Sequence, residues 1–428
     1  MRKLFYIDDT ITNKISYWLL AGFLVALPFD FFYSEIILVC FAVHTLIHCK
    51  KIYLHTLFSK EVLVLVSIYV LGIISILYSP DKSEAFSIAT RQLAILLIPV
   101  LFALNGLDIK KYRINLFIFF ALACSFTIIY LYADAVNTIL YFHLPVSSLF
   151  TLVFMNHNFS LPIEMHATYL SIYVAFSVIT LAYLLTQEKR RTLKFVYTAC
   201  LLVLAMGMLQ LSSRAVCIAL LLVITIVFPF IVFSRKKRLR FMIVSMIMSL
   251  LLLFAILNID SFKVRYVNEL KKDLTQKADL IETNEPRIVR WGLIVDLIKK
   301  SPVIGYGLGA EKKLLKEKYF ENKLFNSFLN EYNTHNEYLS FLLKTGIAGL
   351  ALFIFVLYFG MAVAWREKDL LFLSFLFLII IVCVSENLLD LNKGIFFYSF
   401  FFSAFLIKPK FINTTVSGSF SAKTGNPG

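Results

Sequence analysis

Long apolar runs separated by short polar connections recur from one end of the chain to the other. They lie near 16–34, 35–49, 61–79, 88–105, 114–137, 165–186, 194–211, 215–233, 241–258, 335–364, 370–385 and 394–408, each close to the length that crosses a hydrocarbon layer of roughly 30 Å as a helix. The pattern predicts an all-α integral membrane protein of about twelve transmembrane helices, about nine within residues 1–258 and about three within 335–410. Only Pro28 to Glu35 separates the first two runs.

One connection breaks the pattern. Residues 259–334 carry charges of both signs and form the one long extramembrane segment. Within it Asn284-Glu285-Pro286 marks a helix start, Ile288, Trp291, Ile294 and Leu297 recur at helical spacing, and Ser301-Pro302 ends the run. These features predict a short amphipathic helix lying on the membrane surface. A second connection, 138–164, is aromatic and nearly uncharged, as suits a lid or a lipid contact. The tail 411–428 is rich in Gly, Ser and Thr and is expected to be disordered. No cleavable signal peptide is expected, because Met1 to Lys14 is polar and the first run lacks a small-residue cleavage site.

Charge orients the runs. Lysines and arginines exceed aspartates and glutamates by 42 to 27, a net charge of +15, which in a soluble chain would suggest nucleic acid. Here the basic residues cluster on alternate connections: Lys50, Lys51 and Lys60; Lys110, Lys111 and Arg113; Lys189 to Lys194; Arg235 to Arg240; Arg366 and Lys368; Lys408 and Lys410. The intervening connections carry Asp30, Glu35, Asp81, Glu84, Glu164, Glu386 and Asp390. The positive-inside rule then puts both termini in the cytoplasm and 259–334 on the opposite face. A composition that is 59% hydrophobic, with mean hydropathy +0.79, agrees with a membrane chain. The six cysteines show neither CxxC nor His-spaced pairing, so no disulfide framework or zinc site is expected.

Ionisable groups at membrane depth are costly and need a reason. Those away from the cytoplasmic clusters are Arg91, Glu164 with His166, Arg214, Arg287 with Arg290, His335 and Glu386, all assigned to one face. Arg214, in Ser212-Ser213-Arg214-Ala215, occupies a short turn between two apolar helices, where a guanidinium is either paired with a carboxylate or open to an anionic ligand. Arg287 and Arg290 stand one helical turn apart and suit a phosphate fork, or a solvated pair. His335 sits where the long segment re-enters the membrane, where an imidazole can serve as a base or be merely polar. Gly305-Tyr306-Gly307-Leu308-Gly309 lacks the preceding strand and following Lys-Ser/Thr of a nucleotide loop, and its glycines suit a tight turn near another backbone or a ligand. No DxD or carboxylate cluster points to a metal.

Taken in order, Ser212-Ser213-Arg214-Ala215, Arg287 four residues before Trp291, Ser301-Pro302 with Gly305-x-Gly307-x-Gly309, His335-Asn336-Glu337-Tyr338-Leu339 and Gly346-Ile347-Ala348-Gly349-Leu350 resemble the O-antigen ligase and Wzy polymerase superfamily of bacterial membrane glycosyltransferases. The resemblance is strongest over 165–400. It implies a GT-C-like bundle of about twelve helices with one large periplasmic loop, in the bacterial inner membrane. It also implies transfer of a glycan from undecaprenyl diphosphate to an acceptor hydroxyl, such as a lipid A-core sugar, without metal or cofactor. The implied catalytic residues are His335 as base and Arg214, Arg287 and Arg290 at the diphosphate, with Arg287 preferred over Arg290 for its spacing to Trp291. Glu386, His166, Tyr169, Arg91, Asn336 and Gly307 are expected to bind substrate or orient these groups. Ligase is preferred over polymerase or protein O-oligosaccharyltransferase. A flippase or transporter for a lipid-linked sugar is the alternative of another class, disfavoured by the lack of an internal repeat.

Overall fold

The structure is a computed structural model that describes residues 6–29, 31–274 and 285–408. Asp30, Asn284, Lys410 and the tail 411–428 lie outside the described residues. Within them the regular secondary structure is all helical, with no strand.

Each apolar run coincides with a helix. In chain order the larger helices are α1 (Ile11–Ala26), α2 (Phe31–Ile47), α3 (Lys60–Ser75), α4 (Lys82–Arg91), α5 (Leu93–Leu104), α6 (Ile109–Tyr141), α7 (Ala167–Gln187), α8 (Arg191–Leu211), α9 (Arg214–Leu222, running on to Val232), α10 (Arg235–Leu257), α11 (Arg287–Lys300), α12 (Ala310–Glu321), α13 (Glu337–Glu367), α14 (Leu370–Val382) and α15 (Asn392–Leu406). Among the described residues, seven spans are long and apolar enough to cross a membrane: α3 to Tyr78, α4 with α5, α6, α7, α8, α9 to Val232, and α13. The bent pair Phe32–Ile47 and Lys51–Leu57 would make an eighth, while α1 and α14 are shorter apolar helices. The chain is thus an all-α, multi-pass membrane protein. The first break falls earlier than the run boundary suggests, because α1 ends at Ala26, just before Pro28, and α2 is already helical from Phe31.

Side chains start the helices where the sequence changes from polar to apolar. Thr10, Ser59, Asp81, Asp108 and Asp369 each accept a backbone N–H of the first turn, a cap worth about 1 kcal/mol. The core is a phenylalanine seam. Phe117 and Phe120 of α6, Phe176 of α7, Phe375 of α14 and Phe397, Phe401 and Phe405 of α15 meet with ring centroids 4.7–6.4 Å apart. At the Lys/Arg-rich end, Arg113 pairs with Asp369, and Lys110 and Lys408 with Glu367.

The segment before α13 is built of short helices that carry their own small core. Ile294 and Leu297 of α11 pack with Leu315 and Tyr319 of α12, Leu324 and Leu343. The apolar stripe of α11 therefore faces protein at these positions rather than the membrane surface expected from its periodicity. A 3.6-residue stripe records that a face is covered, not by what.

Candidate active site

Three chain breaks meet at one end of the bundle. The first is the turn between α8 and α9. Ser212 closes α8 in the left-handed region (φ 48°), and α9 begins at Arg214 with no side chain capping it. The second is the start of α11, where Pro286 precedes Arg287 and again no side chain caps the first turn. Glu285 turns the other way and accepts the N–H groups of Asn326 (3.0 Å) and Ser327 (2.8 Å). The third is the pair of loops 332–336 and 383–391, which lead into and out of α13 and α14.

These breaks enclose a cavity of about 380 Å³, lined by Ser213, Arg214 and Ala215, by Arg265 and Asp273, by Arg287, Ile288 and Trp291, by Thr168, and by Ile380, Ile381, Val384, Ser385 and Glu386. Arg214 Nη2 donates to Asp273 Oδ2 at 2.6 Å, and Arg287 Nε lies 3.9 Å from Asp273 Oδ1. Arg287 Nη1 donates to the Ser385 carbonyl at 3.0 Å. Arg214 Nη1 is buried without a hydrogen-bond partner among the described residues. Two helix N-termini and three guanidinium groups, of which Arg265 is paired with Glu269, thus border one hollow, an arrangement that favours an anion.

Glu386 joins this hollow to His335. It lines the cavity, accepts from Thr168 Oγ1 at 3.3 Å, and faces His335 Nδ1 at 3.6 Å. Burial alone would raise its pKa, but His335, His166 and Arg287 outweigh burial and hold the carboxylate at about 2. His335 itself adopts a left-handed conformation (φ 44°), its N–H donates to Asn333 Oδ1 at 3.0 Å, and its ring lies 5.7 Å from that of Tyr332.

A buried polar network fixes the two loops. Lys344 of α13 binds Glu311 at 3.0 Å and Asp390 at 2.9 Å. Glu311 accepts from Thr334 N (2.9 Å) and Ser340 Oγ (2.7 Å). Asn387 Oδ1 accepts from Asn336 N (2.7 Å) and Thr334 Oγ1 (2.9 Å), and its amide donates to Asp390 (2.8 Å). The residues on either side of His335 are thereby tied to those following Glu386, so the imidazole and carboxylate are held from both sides.

The remaining predicted residues fall into distinct places. Arg290 is buried, does not line the cavity, and lies over the Tyr332 ring at 5.0 Å; burial lowers its pKa. His166 stands at the start of α7, its ring 4.1 Å from His157 and 5.6 Å from Tyr169, and its pKa is lowered by burial. Tyr169 donates to the Asn387 carbonyl at 2.8 Å, and Asn336 caps α13 through Leu339 N. Arg91 lies outside this cavity, 3.7 Å from Glu84 and 3.4 Å from the Asp390 carbonyl. Gly307 (φ 93°) also lies outside it; its N–H donates to the Lys344 carbonyl at 2.8 Å, and a Cβ there would meet the Ser79 backbone at 2.5 Å. Gly346 (φ 64°), where α13 breaks, would bring a Cβ within 2.2 Å of the Val303 carbonyl oxygen. Gly346 thus lets loop 302–309 lie directly on α13, and Gly307 lets the same loop lie against Ser79.

Several members of the site have no local sequence signal. Asp273 stands 59 residues from Arg214, and Asn387 is an unremarkable amide between two leucines and a glutamate. His157 lies in the aromatic segment 138–164, where nothing local distinguishes it from His143. Among the described residues no group of three or more His, Cys, Asp or Glu side chains is placed to hold a metal ion.

The family model described as O-Antigen ligase covers residues 199–354, from the second half of α8 to the middle of α13, and so includes Arg214, Arg287 and His335. No curated protein matches the chain. The match at residues 199–354 supports assigning the chain to the O-antigen ligase/Wzy superfamily.

Proposed function

We propose that the protein transfers a glycan from undecaprenyl diphosphate to an acceptor hydroxyl at the periplasmic face of the bacterial inner membrane. Both termini would then lie in the cytoplasm, and residues 259–334 would form the large periplasmic loop. The observation that carries this reading is the joining, through Glu386, of an arginine-bordered hollow to a histidine.

In the proposed step the acceptor oxygen attacks the anomeric carbon, its proton passes to His335, and the bond from that carbon to the diphosphate oxygen breaks. The attack inverts the configuration. Negative charge gathers on the leaving diphosphate, where Arg214, Arg287 and the uncapped first turns of α9 and α11 receive it. Glu386, ionised far below neutral pH, stabilises the imidazolium that forms. Ile218, Ile288, Ile380 and Ile381 give the same cavity an apolar wall for the first isoprene units of the carrier. Arg290 is assigned a supporting role, holding Tyr332 beside His335.

Ligase, polymerase and protein O-oligosaccharyltransferase share this donor grip and differ in acceptor; the ligase reading, with lipid A-core sugar as acceptor, is the one adopted. Incubating the purified protein with polyprenyl-diphosphate glycan and each acceptor in turn tests it. Product on lipid A-core supports the ligase. Growing carrier-linked polymer or glycosylated protein replaces it with one of the other two, and no bond formation in detergent favours a transporter.

A further inference from the structure

Helix α11 turns one face to the Glu386 cavity, and on that face Arg287 and Trp291 stand four residues apart. Each also donates to a backbone carbonyl beyond the helix. Arg287 Nη1 donates to Ser385 at 3.0 Å, and Trp291 Nε1 donates to Thr334 at 2.9 Å. Ser385 immediately precedes Glu386, and Thr334 immediately precedes His335. One helix therefore holds the residue before the carboxylate and the residue before the imidazole, one turn of α11 apart.

The contact from Trp291 falls on the peptide unit that aims the imidazole. The Thr334 carbonyl and the His335 N–H belong to one planar unit; the carbonyl accepts from Trp291, and the N–H donates to Asn333 Oδ1 at 3.0 Å. Turning that plane about the His335 N–Cα bond changes φ of His335, which stands at 44°, in the left-handed region that side chains other than glycine seldom occupy. Such a conformation persists only where its surroundings hold it. Glu311 and Asn387 bind Thr334 through its N–H and its hydroxyl, and both contacts leave the following peptide free to turn. Asn333 belongs to the same loop, so Trp291 is the tether on this peptide from another element. His335 Nδ1 lies 3.6 Å from Glu386, just beyond hydrogen-bond length, so a small turn of the peptide decides whether the two groups engage.

Resting on the glycosyl-transfer reading, we propose that Trp291 is a positioning residue for the base: its indole N–H fixes the Thr334–His335 peptide and so aims the imidazole at Glu386 and at the acceptor oxygen. The four-residue spacing of Arg287 and Trp291 then has a physical reason, since one face of α11 must reach both loops at once.

Two substitutions separate the N–H from the ring. Trp291→Phe keeps an aromatic side chain and removes the donor. Trp291→His keeps a donor, because imidazole Nε2 occupies the ring position of indole Nε1, and at about pH 8 an imidazole of ordinary pKa is neutral. With the full-length protein in detergent, polyprenyl-diphosphate glycan as donor and lipid A-core as acceptor, Trp291→Phe should lower kcat by about tenfold or more and leave KM for the donor at the wild-type value. Trp291→His should recover most of that loss. A second readout needs no turnover: modification of His335 by diethyl pyrocarbonate, followed by peptide mass spectrometry, should be several-fold faster in Trp291→Phe and unchanged in Trp291→His. Wild-type kcat and modification rate in Trp291→Phe, equal impairment of both variants, a raised donor KM in place of a lowered kcat, or loss of folded Trp291→Phe protein on size-exclusion chromatography each overturns the positioning role. A His335 modification rate that depends on Trp291 in this way, in a protein that transfers glycan to no acceptor, upholds the role and overturns the glycosyl-transfer reading alone.

Discussion

Arg214 donates to Asp273 across 2.6 Å, on the rim of the cavity that the diphosphate is proposed to enter. Asp273 also stands 3.9 Å from Arg287, so one carboxylate faces both guanidinium groups. A diphosphate would compete with it for the same donors.

Two substitutions should therefore act in opposite directions. Arg214→Ala removes a group that stabilises charge on the leaving diphosphate and should lower kcat by about 10²–10³. Asp273→Ala should keep transfer and tighten donor binding, read as a lower KM for polyprenyl-diphosphate glycan. A loss as severe as that of Arg214→Ala would instead make Asp273 a required partner.

Arg287 and Arg290 should separate by readout. Arg287→Ala should depress turnover with little change in thermal stability, because its side chain lines the cavity. Arg290→Ala removes a buried cation over the Tyr332 ring and should destabilise the protein by about 2 kcal/mol. Thermal unfolding and transfer assays on both variants decide; a larger loss of turnover in a fully stable Arg290→Ala protein would reverse the two roles.

Stability should fall on acidification in two stages. His166 is held below 6.5 by burial, so its contribution is present above that value and is lost as pH falls through it. Glu386 is held at about 2 against an ordinary 4.5, so its contribution is present above 4.5 and disappears as pH falls toward 2. Unfolding midpoints between pH 7 and 5 should drop more steeply for the wild type than for His166→Gln. Between pH 4.5 and 3 the comparison is with Glu386→Gln, whose curve should be flatter. Parallel curves would contradict the assignment.

Lys344 should be required for the architecture rather than the chemistry. Lys344→Met leaves Glu311 and Asp390 buried without their cation, a change that typically costs 3–5 kcal/mol. The expected result is loss of folded protein on size-exclusion chromatography. A stable, active Lys344→Met protein would show that loops 332–336 and 383–391 are held by other contacts.

What the sequence disclosed follows from which interactions are local. Each apolar run became a helix, since the length and composition of a run suffice to define one in a membrane chain. Arg214, Arg287, His335 and Glu386 stood out because ionisable residues at the ends of apolar runs are rare enough to demand a reason. Asp273 was hidden in a charged segment, where nothing marks one carboxylate among many, and its pairing spans 59 residues. The covered face of α11 and the different surroundings of Arg287, which lines the cavity, and Arg290, which is buried over Tyr332, depend on how α12 and α13 pack, which periodicity does not encode. Gly307 is legible as a close-approach position, but the partner it approaches, Ser79, is visible only in three dimensions.

The most direct test of the central claim is single-turnover transfer by the purified protein, followed as released polyprenyl diphosphate and as acceptor product. The account predicts that the wild type forms both in equal amounts and that His335→Ala, correctly folded, forms neither. Transfer by His335→Ala at the wild-type rate would contradict it.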